Sequence, residues 1–280
     1  VAVSPDYDKL LDPISDITAS IEALLAGAFG SLMGDQRVGL NRIYVSAWGL
    51  HTLFMDIITS LGIENIANRD YLQEKFDDYL HPIINQAQSL LDDYDGPLNE
   101  EQEVAVDYIR DSGMTLRAYV NDLWLYSQIR HGKVRMVTEQ IELQDLFFRP
   151  SMPVSKDDVP LKVHYEDKLP KIQGDFVYLQ RCIHQLVANA IHYTKQGSIK
   201  VDVLQEKSDL IIRVEDSGTG IDEKYHNRIF EPFFQINPRH NGIGLGLSIA
   251  RGIVLLHRGT IVCHSIPGTG TTITLTLPTS

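Results

Sequence analysis

The chain has 280 residues, 43% of them hydrophobic and 22% charged, with a formal net charge of -12. That length and balance predict two or three ordinary soluble globular units with enough apolar material for a sizeable core. The acidic surplus repels phosphate backbones, so no nucleic acid is expected as a partner, whereas a basic protein surface suits the charge.

Residues 4 to about 135 read as helices. Ser4-Pro5 is a helix start, a capping hydroxyl followed by proline at the first helical position. Leu10, Ile14, Ile17, Ile21 and Leu24 then recur at steps of four and three, the seam of a bundle helix, until Gly27 and Gly30 weaken it. A second helix runs from Gln36 to Leu61 and closes at Gly62. Asn68 is a fresh cap, after which Leu80, Ile84, Ala87, Leu91 and Tyr94 repeat the seam. Asp95-Gly96-Pro97 is a turn, and a long helix follows to about Ser127. No stretch approaches the ~20 apolar residues of a membrane span and no signal peptide opens the chain, so no membrane span and a cytoplasmic location are expected.

The restart is an internal repeat. Tyr7 to Ile14 lies over Phe76 to Ile83 at an offset of 69, with Pro13 on Pro82. The following helices match at an offset of 66: Asp35-Gln36 on Glu101-Gln102, Ile43 on Ile109, Ser46 on Ser112, Leu50 on Leu116 and Asp56 on Asp122. A proline at the same place in two helices is hard to credit to chance, because a mid-helix proline is costly. The three-residue difference falls at the hairpin turn, where length changes are tolerated.

After Met136 the pattern becomes mixed, interrupted by Pro150, Pro153 and Pro160. Leu161 to Tyr165 alternates as a strand, Phe176 to Tyr193 is helical, and Ser198 to Leu204 and Leu210 to Glu215 are strands. Leu245 to His257 is a helix, and Thr260 to Ser265 and Thr271 to Leu277 are closing strands. This order predicts an α+β sandwich with a mixed sheet. Cys182 and Cys263 lie in apolar runs without metal-ligand spacing and read as reduced core thiols.

Four polar clusters in this half suit a nucleotide. Gln185, Asn189, His192 and Tyr193 recur on a helix, where a carboxamide oxygen suits Mg²⁺ beside a triphosphate and an imidazole can point at phosphate oxygens. Glu215-Asp216-Ser-Gly218-Thr-Gly220-Ile221 ends a strand, where a carboxylate accepts from adenine's amino group and glycines admit the base. Arg228-Ile-Phe230-Glu-Pro232-Phe233-Phe234 is an apolar hinge. Gly242-Ile-Gly244-Leu-Gly246-Leu247 then leads into a helix whose first N–H groups suit phosphate. A final glycine turn, Gly268-Thr-Gly270-Thr-Thr272, precedes the last strand. A dinucleotide fingerprint from Gly242 would need glycine at position 247, which is Leu247, and no Gly-x-x-x-x-Gly-Lys-Ser/Thr run exists.

In order and spacing these clusters resemble the ATP-binding domain of sensor histidine kinases, over Leu161 to Pro278. The resemblance implies ATP and Mg²⁺ as cofactors and a histidine-kinase activity, phosphoryl transfer from ATP to a protein histidine. It puts Asn189 at Mg²⁺ and phosphate, Asp216 at adenine, and Gly218 and Gly220 around the base. Gln235 to Asn241 becomes a lid over the nucleotide, with Gly242, Gly244, Gly246 and Leu247 at the phosphates and Thr272 supporting the pocket. Gln185 stands where the family has a first Asn, and His192 where it has Lys or Arg.

The helical half resembles the same family's dimerisation and phosphotransfer hairpin, through Asn121-Asp-Leu-Trp-Leu-Tyr-Ser-Gln-Ile-Arg-His-Gly-Lys133. In that family the phosphorylated histidine lies five residues before a proline. Here Pro82 puts that position at Asp77, and Pro13 puts it at Asp8. His81, one turn beyond Asp77, is the substitute acceptor to test. The expected architecture is therefore two hairpins, residues 1–67 and 68–137, forming a four-helix bundle within one chain, then an ATP-binding domain over 138–280. A monomer with an intrachain pseudo-dimer follows, partnered by a response regulator or another kinase. Two activities fit: a kinase that labels His81 or another chain, and a catalytically silent scaffold.

Overall fold

The computed structural model describes residues 8–62, 66, 71–147, 159–237 and 242–279. They cluster into two units: 1–131 with 241–243, and 132–240 with 244–280. The helix starts expected at Ser4-Pro5 and Asn68, the breaks at Pro150 and Pro153, and part of the lid at 235–241 lie outside the described residues.

In the first unit, apolar residues at steps of three and four make helices α1 (Asp8–Leu25), α2 (Gly34–Asp56), α3 (Tyr71–Leu91) and α4 (Glu100–Arg130). Each seam needs a neighbour to bury it, and α1 and α3 each pack against both α2 and α4, a four-helix bundle. The α2 rod continues as a π-helical turn, Ile57–Leu61, and stops at Gly62, whose φ of 72° is open to glycine. Pro13 and Pro82 both sit inside their helices.

The repeat recurs in the burial pattern. Gln36, Leu40, Ile43, Ala47, Leu50 and Phe54 on α2 are buried, and so are their counterparts Gln102, Val106, Ile109, Gly113, Leu116 and Val120 on α4. Small residues let the rods approach: a Cβ on Gly49 would overlap the Tyr79 ring, and one on Gly113 would meet Ile83 and Ile84 at 3.0 Å.

At the turn end the hairpins lock through two matched glutamines, Gln36 at 1% exposure and Gln102 at 3%. Gln36 Nε2 donates to Gly96 O at 3.0 Å and Pro97 O at 2.9 Å in the other hairpin's turn, while its Oε1 accepts Met33 N–H at 2.8 Å. Gln102 answers by donating to Ser31 O at 3.3 Å and accepting Asn99 N–H at 3.0 Å. Asn99 caps α4 and donates to Phe29 O at 2.8 Å.

The second unit is a two-layer α/β sandwich. Strands β1 (Glu139–Ile141) and β3 (Ile172–Gly174) form a small antiparallel ribbon. A five-stranded sheet has the order β2 (Leu161–Tyr165), β4 (Ile199–Glu206), β5 (Asp209–Asp216), β7 (Gly270–Pro278), β6 (Thr260–Ile266). Only its β2–β4 pair is parallel, joined through α5 (Phe176–Tyr193), so the sheet is mixed. Helices α5 and α6 (Gly246–Leu256) pack together and against the sheet. Alternation aims Val201, Val203, Ile212, Val214, Ile273 and Leu275 at the helices. Cys182 and Cys263 are both buried and unpaired.

Candidate functional site

The helix-facing stripe of the sheet turns polar at one end. Asp216 pairs with Thr271 across β5 and β7, and Thr271 with Ser265 across β7 and β6, so the last row reads Asp216, Thr271, Ser265. The Asp216 carboxylate accepts the Gly218 N–H at 2.8 Å and the Thr271 N–H. Burial nevertheless pushes its pKa above the ordinary value, helped by neighbouring Glu215 and opposed by those two N–H groups.

Glycine is required around it. A Cβ on Gly218 would come 2.6 Å from Tyr193 O, at the end of α5. One on Gly220, at φ 65°, would overlap Ile266 O, and one on Gly270 would overlap Asp216 O. The two glycine turns are also zipped by Gly268 N–H donating to Thr219 O at 2.8 Å.

Helix α5 supplies the opposite wall. Its Asp175 cap, 5% exposed, accepts Tyr178 N–H at 3.2 Å and Val137 N–H at 2.7 Å, while its own N–H donates to His257 Nε2 at 2.9 Å. So fixed, α5 sets Gln185, Asn189, His192 and Tyr193 along one face. The Gln185 carboxamide lies against Gly246, where a Cβ would overlap it. Asn189 is half-buried one turn on, and the His192 and Tyr193 rings meet edge to face at 4.8 Å. Burial raises the Tyr193 pKa.

The first turn of α6 carries no side-chain cap, so its leading N–H groups are not taken by a cap. Before it, Phe233 adopts φ 61° and donates its N–H to Gly244 O at 2.9 Å. Gly244, at φ 73°, admits this because a Cβ would sit 2.8 Å from the Phe233 carbonyl carbon. The hinge below is an apolar cluster of Ile229, Phe230 and Cys263, joined by Leu247, Ile221 and Phe234. Arg228 caps it, its guanidinium 4.3 Å from the Phe234 ring centre. Burial first, and the Asp216 charge second, push the Cys263 thiol up to about 11, so that thiol lies within the field of the carboxylate.

The structure thus brings together Asp216, Gly218, Gly220 and Tyr193 at one end, and Gln185, Gly244 and Gly246 at the other. Gly242, at φ 104°, groups with the first unit. Leu247 is drawn into the apolar hinge. Thr272 pairs with Glu215 and lies on the other face of the sheet from Asp216; Thr271 takes the place beside the carboxylate. The alternation of buried Ile273, Leu275 and Leu277 along the sequence is the signal that puts position 271, not 272, on the core side. In the first unit, His81 Nε2 lies 4.0 Å from Asp77 Oδ1, with both side chains about half exposed, at 58% and 49%.

These residues fit a nucleotide. Cradles that a Cβ would fill surround Asp216, the α6 N-terminus is uncapped, and Thr194 Oγ1, buried next to Tyr193, has no hydrogen-bond partner among the described residues. No cluster of three or more His, Cys, Asp or Glu among the described residues could hold a metal alone.

Residues 174–280 match the family described as histidine kinase-, DNA gyrase B- and HSP90-like ATPase. The alginate biosynthesis sensor protein KinB of Pseudomonas aeruginosa is 30% identical over 189 residues, 66% of this chain and 32% of that protein. The circadian input-output histidine kinase CikA of Synechococcus elongatus is 26% identical over 273 residues, 92% of this chain and 36% of the relative. The chain thus spans about a third of the length of these relatives. Among solved structures, full-length ShkA in complex with AMPPNP shares the fold with a TM-score of 0.65 at 21% identity, covering 75% of this chain and 45% of that one. The Acinetobacter baumannii histidine kinase AdeS shares it with a TM-score of 0.53 at 19% identity, covering 72% and 95%. Among the described residues no helix is long and apolar enough to cross a membrane.

Proposed function

Since the chain belongs to the sensor histidine kinase family and carries that family's ATP-binding domain, we propose that it is a signalling protein that holds ATP with Mg²⁺ and engages a response regulator or a partner kinase. ATP supplies a transferable γ-phosphoryl group; the chain's own residues orient it. In this reading Asp216 accepts from the adenine amino group, and Gly218 and Gly220 let the backbone approach the base. Asn189 turns its carboxamide oxygen to Mg²⁺, with Gln185 and His192 beside the phosphates. Gly244 and Gly246 bring backbone N–H groups to the same oxygens. The observation that carries the reading is the half-buried Asp216, held by two backbone N–H groups and ringed by glycines that side chains would block.

Residues 1–67 and 68–137 act as two phosphotransfer-like hairpins, and 138–280 as the ATP-binding domain. Four seams closed within one chain, locked by Gln36 and Gln102, support a monomer with an internal pseudo-dimer. A stable dimer in light scattering overturns that part.

Asp77 at the acceptor position favours a second reading, a silent scaffold, because an exposed carboxylate is a poor phosphoryl acceptor beside a neutral imidazole. Self-phosphorylation, where it occurs, runs through His81: a ring nitrogen bonds to the γ-phosphorus, the bond to the β–γ bridging oxygen breaks, and ADP leaves. Incubation with γ-labelled ATP and Mg²⁺ separates the two. Acid-labile, base-stable label lost in His81→Ala marks the kinase, and calorimetric ATP binding without label marks the scaffold. No heat with millimolar ATP and Mg²⁺ sinks both.

A further inference from the structure

His131 and His257 show how a histidine at a helix end in this chain settles its proton. Helical side chains lean towards the N-terminus, so each ring lies over the residue four positions back. Each places Nδ1 2.8 Å from that residue's carbonyl, Ser127 O and Ile253 O. A carbonyl only accepts, so in both rings Nδ1 carries the proton.

His81, inside α3, leans over Asp77 in the same way, but residue 77 brings what residues 127 and 253 lack, a carboxylate. The ring turns its far nitrogen to it: Nε2 lies 4.0 Å from Asp77 Oδ1. That is ion-pair range, longer than a hydrogen bond. Nδ1 has no hydrogen-bond partner among the described residues. A neutral imidazole has one proton, and the nitrogen without it is the nucleophile. A carboxylate favours the proton on the nitrogen nearest to it.

We infer that Asp77 is a positioning residue for the phosphoryl acceptor: it keeps the His81 proton on Nε2 and directs the phosphoryl group to Nδ1. The inference rests on the kinase reading above and deepens it, by naming the nitrogen that reacts. In the step, the Nδ1 lone pair forms the bond to the γ-phosphorus. The bond from that phosphorus to the β–γ bridging oxygen breaks, and its electron pair leaves on ADP. The ring then holds a positive charge, and the Nε2–H that shares it faces the Asp77 carboxylate. Asp77, itself a poor acceptor, serves the acceptor from one helical turn away.

The test incubates the full chain with γ-labelled ATP and Mg²⁺ and quenches early in alkali. Alkaline hydrolysis and ion exchange then separate Nδ1- from Nε2-phosphohistidine. Early quenching matters because the Nδ1 isomer gives way to the more stable Nε2 isomer on standing. Wild-type label should be mostly Nδ1 and lost in His81→Ala. Asp77→Ala should lower the Nδ1-to-Nε2 ratio about tenfold, the scale of one charge contact near a protein surface. Asp77→Glu keeps a carboxylate within reach of the ring and should keep the wild-type ratio. A merely structural Asp77 would change the amount of label and not the ratio. Should Asp77→Ala take too little label to read, the wild-type isomer decides alone. His81 label that is mostly Nε2 from the start, or a ratio unmoved by Asp77→Ala, overturns the inference and leaves the kinase reading standing. A wild-type chain that binds ATP and takes no label on His81 removes that reading, and this inference with it.

Discussion

Gln36 and Asp216 are both polar side chains withdrawn from water, and the two units treat them differently. In the bundle, Gln36 gives both amide protons to the opposite turn and accepts a backbone N–H in return. It closes the interface between the two hairpins. In the sandwich, Asp216 is held by two backbone N–H groups, yet burial still raises its pKa, and Thr194 Oγ1 nearby has no partner among the described residues. Buried polarity that is fully paired serves stability and register; the incompletely paired polarity of the sandwich is what the proposed nucleotide site would use.

That contrast breaks most sharply at Asp216 itself. Asp216→Ala should weaken ATP binding roughly 10- to 100-fold, the range for a lost hydrogen bond to a charged group, with the far-UV circular dichroism unchanged. If calorimetry shows equal affinity, the carboxylate does not read the base.

The bundle side predicts the reverse pattern. Gln36→Ala leaves Gly96 O and Pro97 O unpaired, and Gln102→Ala leaves Ser31 O unpaired, so each should cost about 1–3 kcal/mol. Urea unfolding should register that loss, while ATP affinity stays within twofold. A drop in ATP affinity without lost stability would erase the distinction between the two units.

Acidification sharpens it further. Because the folded-state pKa of Asp216 is raised, the folded protein binds the proton more tightly than the unfolded chain. The buried charge therefore costs stability above that raised pKa, and the cost fades as pH falls through it towards the ordinary carboxylate value. Asp216→Asn should raise the melting temperature of the nucleotide-free protein at pH 7.5 and by less near pH 4. ATP affinity of the wild type should start to fall at a higher pH than an ordinary carboxylate would allow. Equal melting shifts at both pH values would refute the burial argument.

The smallest effect concerns the thiols. Burial pushes Cys182 up to about 12 and Cys263 up to about 11, so neither should react measurably with iodoacetamide in the folded protein at pH 7.5. Labelling of Cys263 that ATP suppresses would mean the hinge opens more than its packing implies.

Much of this architecture was legible in the sequence. Apolar steps of three and four marked the four bundle helices, Pro13 and Pro82 marked the repeat, and the glycines around Asp216 and before Leu247 marked the nucleotide half. Local periodicity writes helices and strands directly into the chain, and glycine is demanded wherever backbone runs close or φ turns positive, as at Gly220 and Gly244.

Tertiary structure decided the rest, because partners distant in the chain cannot be read from spacing. Gln36 meets Gly96 only once two hairpins pack, and Gln185 meets Gly246 only once α5 and α6 lie side by side. Strand register chose Thr271 over Thr272 as the neighbour of Asp216, a difference of one residue that places a side chain on the other face of the sheet.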